Sequence, residues 1–309
     1  MIDVVNLVKM YGSFRAVDGL CLHIDKGEIF GFVGPNGAGK TTTMKIIAGL
    51  LPATAGSVIV KDVDVIKHPR ILREKIGYMP DFFGVYDNLK VSEYMDFYAG
   101  AYYIPYAERP PVINDLLELV GLTFKADAYV DSLSRGMKQR LCLARALIHD
   151  PEVLLLDEPA SGLDPRARVE MKEVLKQLKA MGKTIIISSH ILTELAELCS
   201  VVGIMDHGRL AAYGSVNDIM RQLNHGRTLV IKPLAMSEAF IRALREQPGV
   251  SGIQENTTEC EVRFTGDDAE TARLLGTLVT NNIPIVSYRE REGNLEEMFM
   301  QLTEGGKEE

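Results

Sequence analysis

No stretch of this chain is apolar for long enough to cross a bilayer as a helix. Its most hydrophobic runs, residues 153–156 and 184–187, are of strand length, whereas a spanning helix needs about 20 residues. The N-terminus, Met1-Ile2-Asp3-Val4, lacks the basic-then-apolar order of a secretory signal. Both absences lead us to expect a cytoplasmic protein whose contact with a membrane goes through a partner. Positive charge is also scarce. With 34 Lys and Arg against 42 Asp and Glu, a net charge of -8, the chain lacks the basic surface on which nonspecific nucleic-acid binding rests, and no direct nucleic-acid contact is expected. The four cysteines, Cys21, Cys142, Cys199 and Cys260, show no paired metal-ligand spacing. Each reads as a small buried or half-buried hydrophobe, not as a disulfide partner or zinc ligand. Internal repeats and long low-complexity runs are missing as well.

What is there is enough apolar material for a full core, 46% of 309 residues. From residue 1 to about 214, strand-like runs alternate with helical patterns, the pattern of an α/β domain with helices on a sheet. Residues 28–33 form a short apolar run into a Gly-rich loop, and 41–50 then carry helical spacing up to Pro52. Residues 153–156 and 184–188 read as further buried strands. Before the first of these, about 82–134 read as a helical subdomain, with helices over 91–103 and 112–120 separated by Pro105 and the Pro110-Pro111 pair. After residue 214 the order becomes β-α-β-β-α-β. Strands are expected at 229–232, 261–264 and 284–288 and helices at 237–247 and 268–281, with a closing amphipathic helix at 294–302. The expected division is therefore a domain over 1–214 and a small α+β domain of split-βαβ, ferredoxin-like type over 215–309, whose last five residues read as a disordered tail.

Gly34-Pro35-Asn36-Gly37-Ala38-Gly39-Lys40-Thr41 fits G-x-x-x-x-G-K-[ST] without a mismatch. Glycines let the backbone curl so that successive N–H groups face phosphate oxygens, and the helix that follows adds its own unpaired N–H groups. Lys40 supplies a cation for the β- and γ-phosphates, Thr41 a hydroxyl for Mg2+, and Thr42 a donor to the α-phosphate region. An apolar strand before and an amphipathic helix after make this a nucleotide site. The strand 153–156 ends abruptly in Asp157 and Glu158. Buried strands tolerate carboxylates only where something compensates the charge. Mg2+ does so at Asp157, held through a water, and Glu158 becomes the candidate general base for an attacking water.

The neighbouring residues narrow the class. Leu133-Ser134-Arg135-Gly136-Met137-Lys138-Gln139-Arg140 precedes the acid strand, Ser161-Gly162-Leu163-Asp164-Pro165 follows it, and Ser188-Ser189-His190 ends the next strand. With the phosphate loop, this order over residues 1–214 resembles the ATP-binding-cassette ATPases: Walker A, signature, Walker B, D-loop and switch histidine. The fold implied is a P-loop NTPase cassette. The resemblance implies that Tyr11 stacks on adenine, that Ser134 and Gly136 contact the γ-phosphate of ATP on the opposite protomer, that Asp164 links the two sites, and that His190 contacts the γ-phosphate. Ser134 also reads independently as a helix N-cap, with Met137, Leu141, Ala144 and Ile148 on one face. One phosphate loop and one signature per chain imply a homodimer that closes on ATP.

Two positions depart from the family's pattern. Where it usually has a Q-loop glutamine, this chain has Asp81, which either approaches Mg2+ as an oxygen ligand or stays a loop acid. The signature has Arg135 and Met137 where a small residue and an amide are commonest. The C-terminal domain, including residues 294–299, resembles the accessory domain of cassettes serving ABC-2 exporters. The apolar loop 82–86 reads as a docking site for a separate permease or as internal packing. The expected function is thus the ATP-hydrolysing subunit of an ABC exporter. The alternative is a soluble cassette ATPase acting on nucleic acid or ribosomes, for which the chain lacks both long coiled coils and a second cassette.

Overall fold

The computed structural model describes residues 1–81, 84, 88–215, 218–219 and 227–291. The loop 82–86, apart from Gly84, the closing helix at 294–302 and the tail lie outside the described residues. The chain divides into two compact units, Met1–Val216 and Asn217–Glu309.

The first unit is built on two sheets. The central one joins β3 (Ile29–Val33), β6 (Ile76–Met79), β7 (Val153–Asp157), β8 (Thr184–Ser189), β9 (Val201–Asp206) and β10 (Arg209–Gly214) in the order β10-β9-β3-β8-β7-β6. All its pairings are parallel except that of β9 with the edge strand β10. Every residue of β3, β7 and β8 is buried, because both faces of these strands are covered, and this is why they read as unbroken apolar runs. The second sheet, β2 (Phe14–Ile24), β1 (Ile2–Tyr11), β4 (Ala55–Val60) and β5 (Val63–Asp64) in that order, is antiparallel throughout. Its inner face, with Ile2, Val4, Leu7, Leu20 and Val58, shares one core with Phe30, Phe32, Met44, Ile47 and Ile186.

Helices follow the sheet ends. α1 (Lys40–Ile47) begins one residue before the expected start and stops at the Ala48 cap; Gly49, at φ +67°, then turns the chain. α2 (Pro69–Arg73), α3 (Val91–Ala101), α4 (Arg109–Leu119), α5 (Arg135–Leu147), α6 (Pro165–Ala180) and α7 (Leu192–Ala196) complete the unit. The prolines 110 and 111 do not separate two helices. They lie in the first turn of α4, where the N–H a proline lacks would have no partner in any case. α3 and α4 hold α5 in place: Arg145 donates to the buried Tyr94 hydroxyl at 3.2 Å and lies over Tyr98, and Arg140 donates to Val120 O at 2.8 Å. Cys142, Cys199 and Cys260 are buried, but Cys21 is exposed on β2, a correction. It stands at an outward position of that strand, and its sulfur lies 3.3 Å from both Asn6 N and Asn6 Oδ1.

The second unit runs β11 (Arg227–Pro233), α8 (Glu238–Arg245), β12 (Val250–Glu255), β13 (Cys260–Phe264), α9 (Asp268–Thr280) and β14 (Ile285–Arg291). The antiparallel order β12-β13-β11-β14 inserts β13 between the two strands that α8 connects, the split-βαβ arrangement. Cys260, Val262 and Phe264 alternate inward onto Phe240, Leu244, Leu274 and Leu278. Phe264 is 2% exposed and its ring packs against Gly249 and Gly266. Phe264→Ala is therefore expected to destabilise this unit by about 3–5 kcal/mol, measurable by denaturant unfolding of the full chain.

Candidate nucleotide site

The phosphate loop leaves β3 at Val33 and enters α1 at Lys40. Gly39 is the N-cap, at φ +104°, and a Cβ there would stand 2.5 Å from Ala16 O; only glycine combines that conformation with so close a backbone neighbour. A Cβ on Gly34 would likewise collide with Met205 O. Lys40 is buried, and its ammonium reaches Gly34 O at 2.5 Å and Pro35 O at 3.1 Å. Burial lowers its pKa, and the nearby Glu158 and Asp157 carboxylates oppose that shift. α1 carries no side-chain cap, so its first N–H groups stay available to an anion.

Asp157 ends β7 inside the sheet, 1% exposed. Its Oδ1 accepts from Thr41 Oγ1 at 3.1 Å and from Ser188 Oγ at 2.6 Å, while its Oδ2 is buried without a partner. A buried carboxylate oxygen left bare is costly, and a cation beside Thr41 would relieve it. Two protein oxygens suit Mg2+, which keeps waters and substrate phosphates as its other ligands. The donor set present fits the ion.

Glu158 follows in a left-handed conformation, φ +52°, which costs about 1–3 kcal/mol for a residue with a Cβ and recurs at functional sites. Ser188 Oγ accepts from its N–H at 2.9 Å. Glu158 Oε2 meets His190 Nδ1 at 2.8 Å, and Oε1 stands 3.8 Å from Lys40 Nζ. An ionised carboxylate only accepts, so Nδ1 carries the proton and the ring's Nε2 is left for another partner.

These groups converge on a cleft of about 350 Å3 whose wall includes Tyr11, Asn36, Gly37, Ala38, Gly39, Lys40, Thr41, Thr42, Asp81, Glu158 and His190. Tyr11 is 49% exposed, with the Lys9 ammonium 5.2 Å from its ring centre. Asp81 is exposed on the wall. Gly34 and Pro35 serve through their carbonyls. Ser134, Gly136 and Asp164 do not line this cleft. Ser134 caps α5 by accepting from Met137 N at 3.3 Å, and Asp164 caps α6 by accepting from Ala167 N at 2.8 Å. Gly136 is pressed so close to Ala167 that a Cβ on it would stand 2.8 Å away, a packing reason for glycine that the sequence does not disclose.

A family model described as ABC transporter matches residues 17–161, and one described as ATP-binding protein DrrA1-3-like, C-terminal domain, matches residues 214–303. The linearmycin resistance ATP-binding protein LnrL of Bacillus subtilis (strain 168) is 33% identical over 305 residues, 98% of either chain. The chain belongs to the ABC transporter ATP-binding proteins. The Nod factor export ATP-binding protein I of Burkholderia orbicola (strain AU 1054) is 36% identical over 98% of this chain and 96% of its own. Among solved structures, an ATP binding subunit of an ABC transporter superposes at TM-score 0.65 with 31% identity, over 72% of this chain and 92% of that one. The ATP-binding cassette MJ0796, in a dimeric post-hydrolysis state bound to ADP and Pi, superposes at 0.64 with 25% identity, over 70% of this chain and 99% of that one.

As an ABC ATPase, the chain hydrolyses ATP with a cassette fold. Several of its cleft residues escape sequence reasoning. Phe14, 62% exposed, and Ala16 line the cleft with Tyr11, and Ser161 lines it too. Nothing in the sequence marks β2, which supplies the first two, as part of a phosphate site. Ser188 is the buried hydroxyl that joins Asp157 to the Glu158 backbone; its place in the Ser188-Ser189-His190 string was the only signal.

The second unit has its own cleft of about 500 Å3, lined among others by Gln247, Phe264, Glu270 and Arg273. Several of its polar groups are engaged with one another or with nearby backbone: Glu270 accepts from Asp267 N, Arg273 pairs with Glu270, and Thr265 and Thr277 donate to carbonyls.

Proposed function

We propose that this chain is the motor of an exporter, hydrolysing Mg-ATP between two copies of itself and driving a separate transmembrane permease from the cytoplasmic face of the membrane. The single observation that carries the reading is the separation of the motifs. Lys40, Thr41, Glu158 and His190 line one cleft, with Asp157 behind them bonded to Thr41, while Ser134, Gly136 and Asp164 stand elsewhere on the same unit. Half of a phosphate site is present in one chain, and a second copy supplies the other half. The relatives named for Nod factor export and linearmycin resistance support export, since likeness to them extends through both units. Among the described residues no helix is long and apolar enough to cross a membrane, so the passage is left to a partner.

In this reading the loop N–H groups and Lys40 hold the β- and γ-phosphates, and Tyr11 with Phe14 supports the adenine. Thr41 and Asp157 would hold Mg2+, which neutralises phosphate charge when bound. Glu158 takes the proton of the attacking water, and His190, tied to Glu158 through Nδ1, fixes the carboxylate and borders the γ-phosphate. Ser134 and the Gly136 backbone reach the γ-phosphate on the partner chain, and Asp164 joins the two sites. The residues 1–214 form the ATPase domain and 215–309 an accessory domain.

Mixing tests the composite site. Lys40→Met and Ser134→Arg chains are each expected to be inactive alone. Mixed in equal amounts they recover about a quarter of parental turnover, because half the dimers are heterodimers with one intact site of two. Full turnover by Ser134→Arg alone would rule out a site completed by a second copy.

A further inference from the structure

The segment carrying His190 is held by contacts that reach the Gly162-Leu163-Asp164 loop. Arg168, in the first turns of α6, donates from Nη2 to Leu163 O at 3.4 Å. Its Nη1 stands 3.0 Å from Oε1 of Glu194, which belongs to α7. The other Glu194 oxygen, Oε2, accepts from Ser189 Oγ at 3.2 Å, and Ser189 Oγ in turn accepts from Ile191 N at 3.0 Å. Both neighbours of His190 are thereby fixed to one carboxylate, and that carboxylate to one guanidinium.

The pair is poorly suited to be mere glue. The Glu194 side chain is 13% exposed and that of Arg168 35%, so charge is taken out of water. Two apolar side chains would join α6 to α7 at less desolvation cost. Nor is the pair fully satisfied: Arg168 Nε and Glu194 Oε1 are buried without a hydrogen bond of proper geometry. Beside it lies a void of about 20 Å3 lined by Glu158, Ser161, Ser189 and Glu194, among others, space for one water or a small displacement. That space leaves the pair room to shift without displacing packed side chains, as a transmitting contact requires.

We propose that Arg168 and Glu194 are positioning residues for hydrolysis, passing the placement of the Gly162–Asp164 loop to His190 and through it to Glu158. A loop displaced by the second copy pulls on Arg168 through the Leu163 carbonyl. Glu194 follows, and the Ser189 and Ile191 anchors bring the imidazole into register with the carboxylate. The inference rests on the reading of Glu158 and His190 as the hydrolytic pair.

The test uses the full chain and steady-state hydrolysis of Mg-ATP by the parent, Glu194→Gln, Glu194→Asp, Arg168→Met, the double variant Arg168→Met/Glu194→Gln, and His190→Ala. Glu194→Gln and Arg168→Met are each expected to lower kcat by about 10–100-fold, the effect of misplacing a catalytic group by a fraction of an ångström. KM for ATP should move by less than about twofold, since neither residue lines the nucleotide cleft. Glu194→Asp restores most of kcat, and the double variant is no worse than either single one. Glu194→Gln keeps shape and volume, so it decides the matter if Arg168→Met melts early. Parental kcat in Glu194→Gln beside an inactive His190→Ala overturns the inference alone, as does a multiplicative loss in the double variant. Parental kcat in His190→Ala overturns the hydrolytic pair and the inference with it.

Discussion

Glu158→Gln is expected to lower ATP turnover by about 100- to 10,000-fold while leaving nucleotide binding intact, the loss that follows when a positioned general base is removed. The amide keeps the size of the carboxylate and can still accept from His190 Nδ1, 2.8 Å away in the parent. It cannot take a proton. It also removes a negative charge 3.8 Å from the Lys40 ammonium, which favours retention of the triphosphate. The variant should therefore collect as a dimer in Mg-ATP and return to monomer when nucleotide is withdrawn. Phosphate release and size-exclusion chromatography with and without Mg-ATP read the two effects separately. Turnover at the parental rate would mean that another group takes the proton.

Lys40→Met should abolish hydrolysis for a different reason. Lys40 is 5% exposed and its ammonium spends its bonds on the Gly34 and Pro35 carbonyls, holding a desolvated charge in place for a phosphate to meet. Methionine fills the same volume without the charge. Losing a preorganised cation of this kind costs about 100-fold or more in rate, and affinity for ATP falls with it. Stability in the absence of nucleotide should not fall, because removing a desolvated charge offsets the lost hydrogen bonds. Thermal melting without ligand, beside binding of a fluorescent ATP analogue, distinguishes this outcome from simple unfolding. A variant that melts well below the parent would show that Lys40 is part of the scaffold as much as of the site.

Both variants act on residues that were legible in the chain as a string. Lys40 and Thr41 belong to a motif whose spacing is set by one turn of backbone around a phosphate. Asp157 and Glu158 stand out because an unbroken apolar strand ends in two acids. The central strands were equally plain, since burial on both faces leaves no polar alternation to confuse them. The antiparallel sheet was not: β1 and β2 have irregular alternation, with register shifts along their pairing, and the other neighbour of β1, β4, comes from more than 40 residues away. The prolines at 110 and 111 misled for a local reason, a first helical turn being the one place in a helix where two prolines cost nothing.

By itself the sequence determined which chemistry is possible: a phosphate loop, a buried acid for a cation, a base, a histidine, and two units of different composition. Such features are encoded in residues adjacent along the chain, and spacing preserves them. The tertiary structure alone decided which of those groups meet. It placed Phe14 of a distant hairpin at the cleft, put Glu158 into a left-handed turn against His190, and linked Leu163 to Ser189 through Arg168 and Glu194. Side chains separated by tens of residues come within 3 Å only after the sheet has assembled, and the free energy that brings them there is the burial of the apolar strands around them.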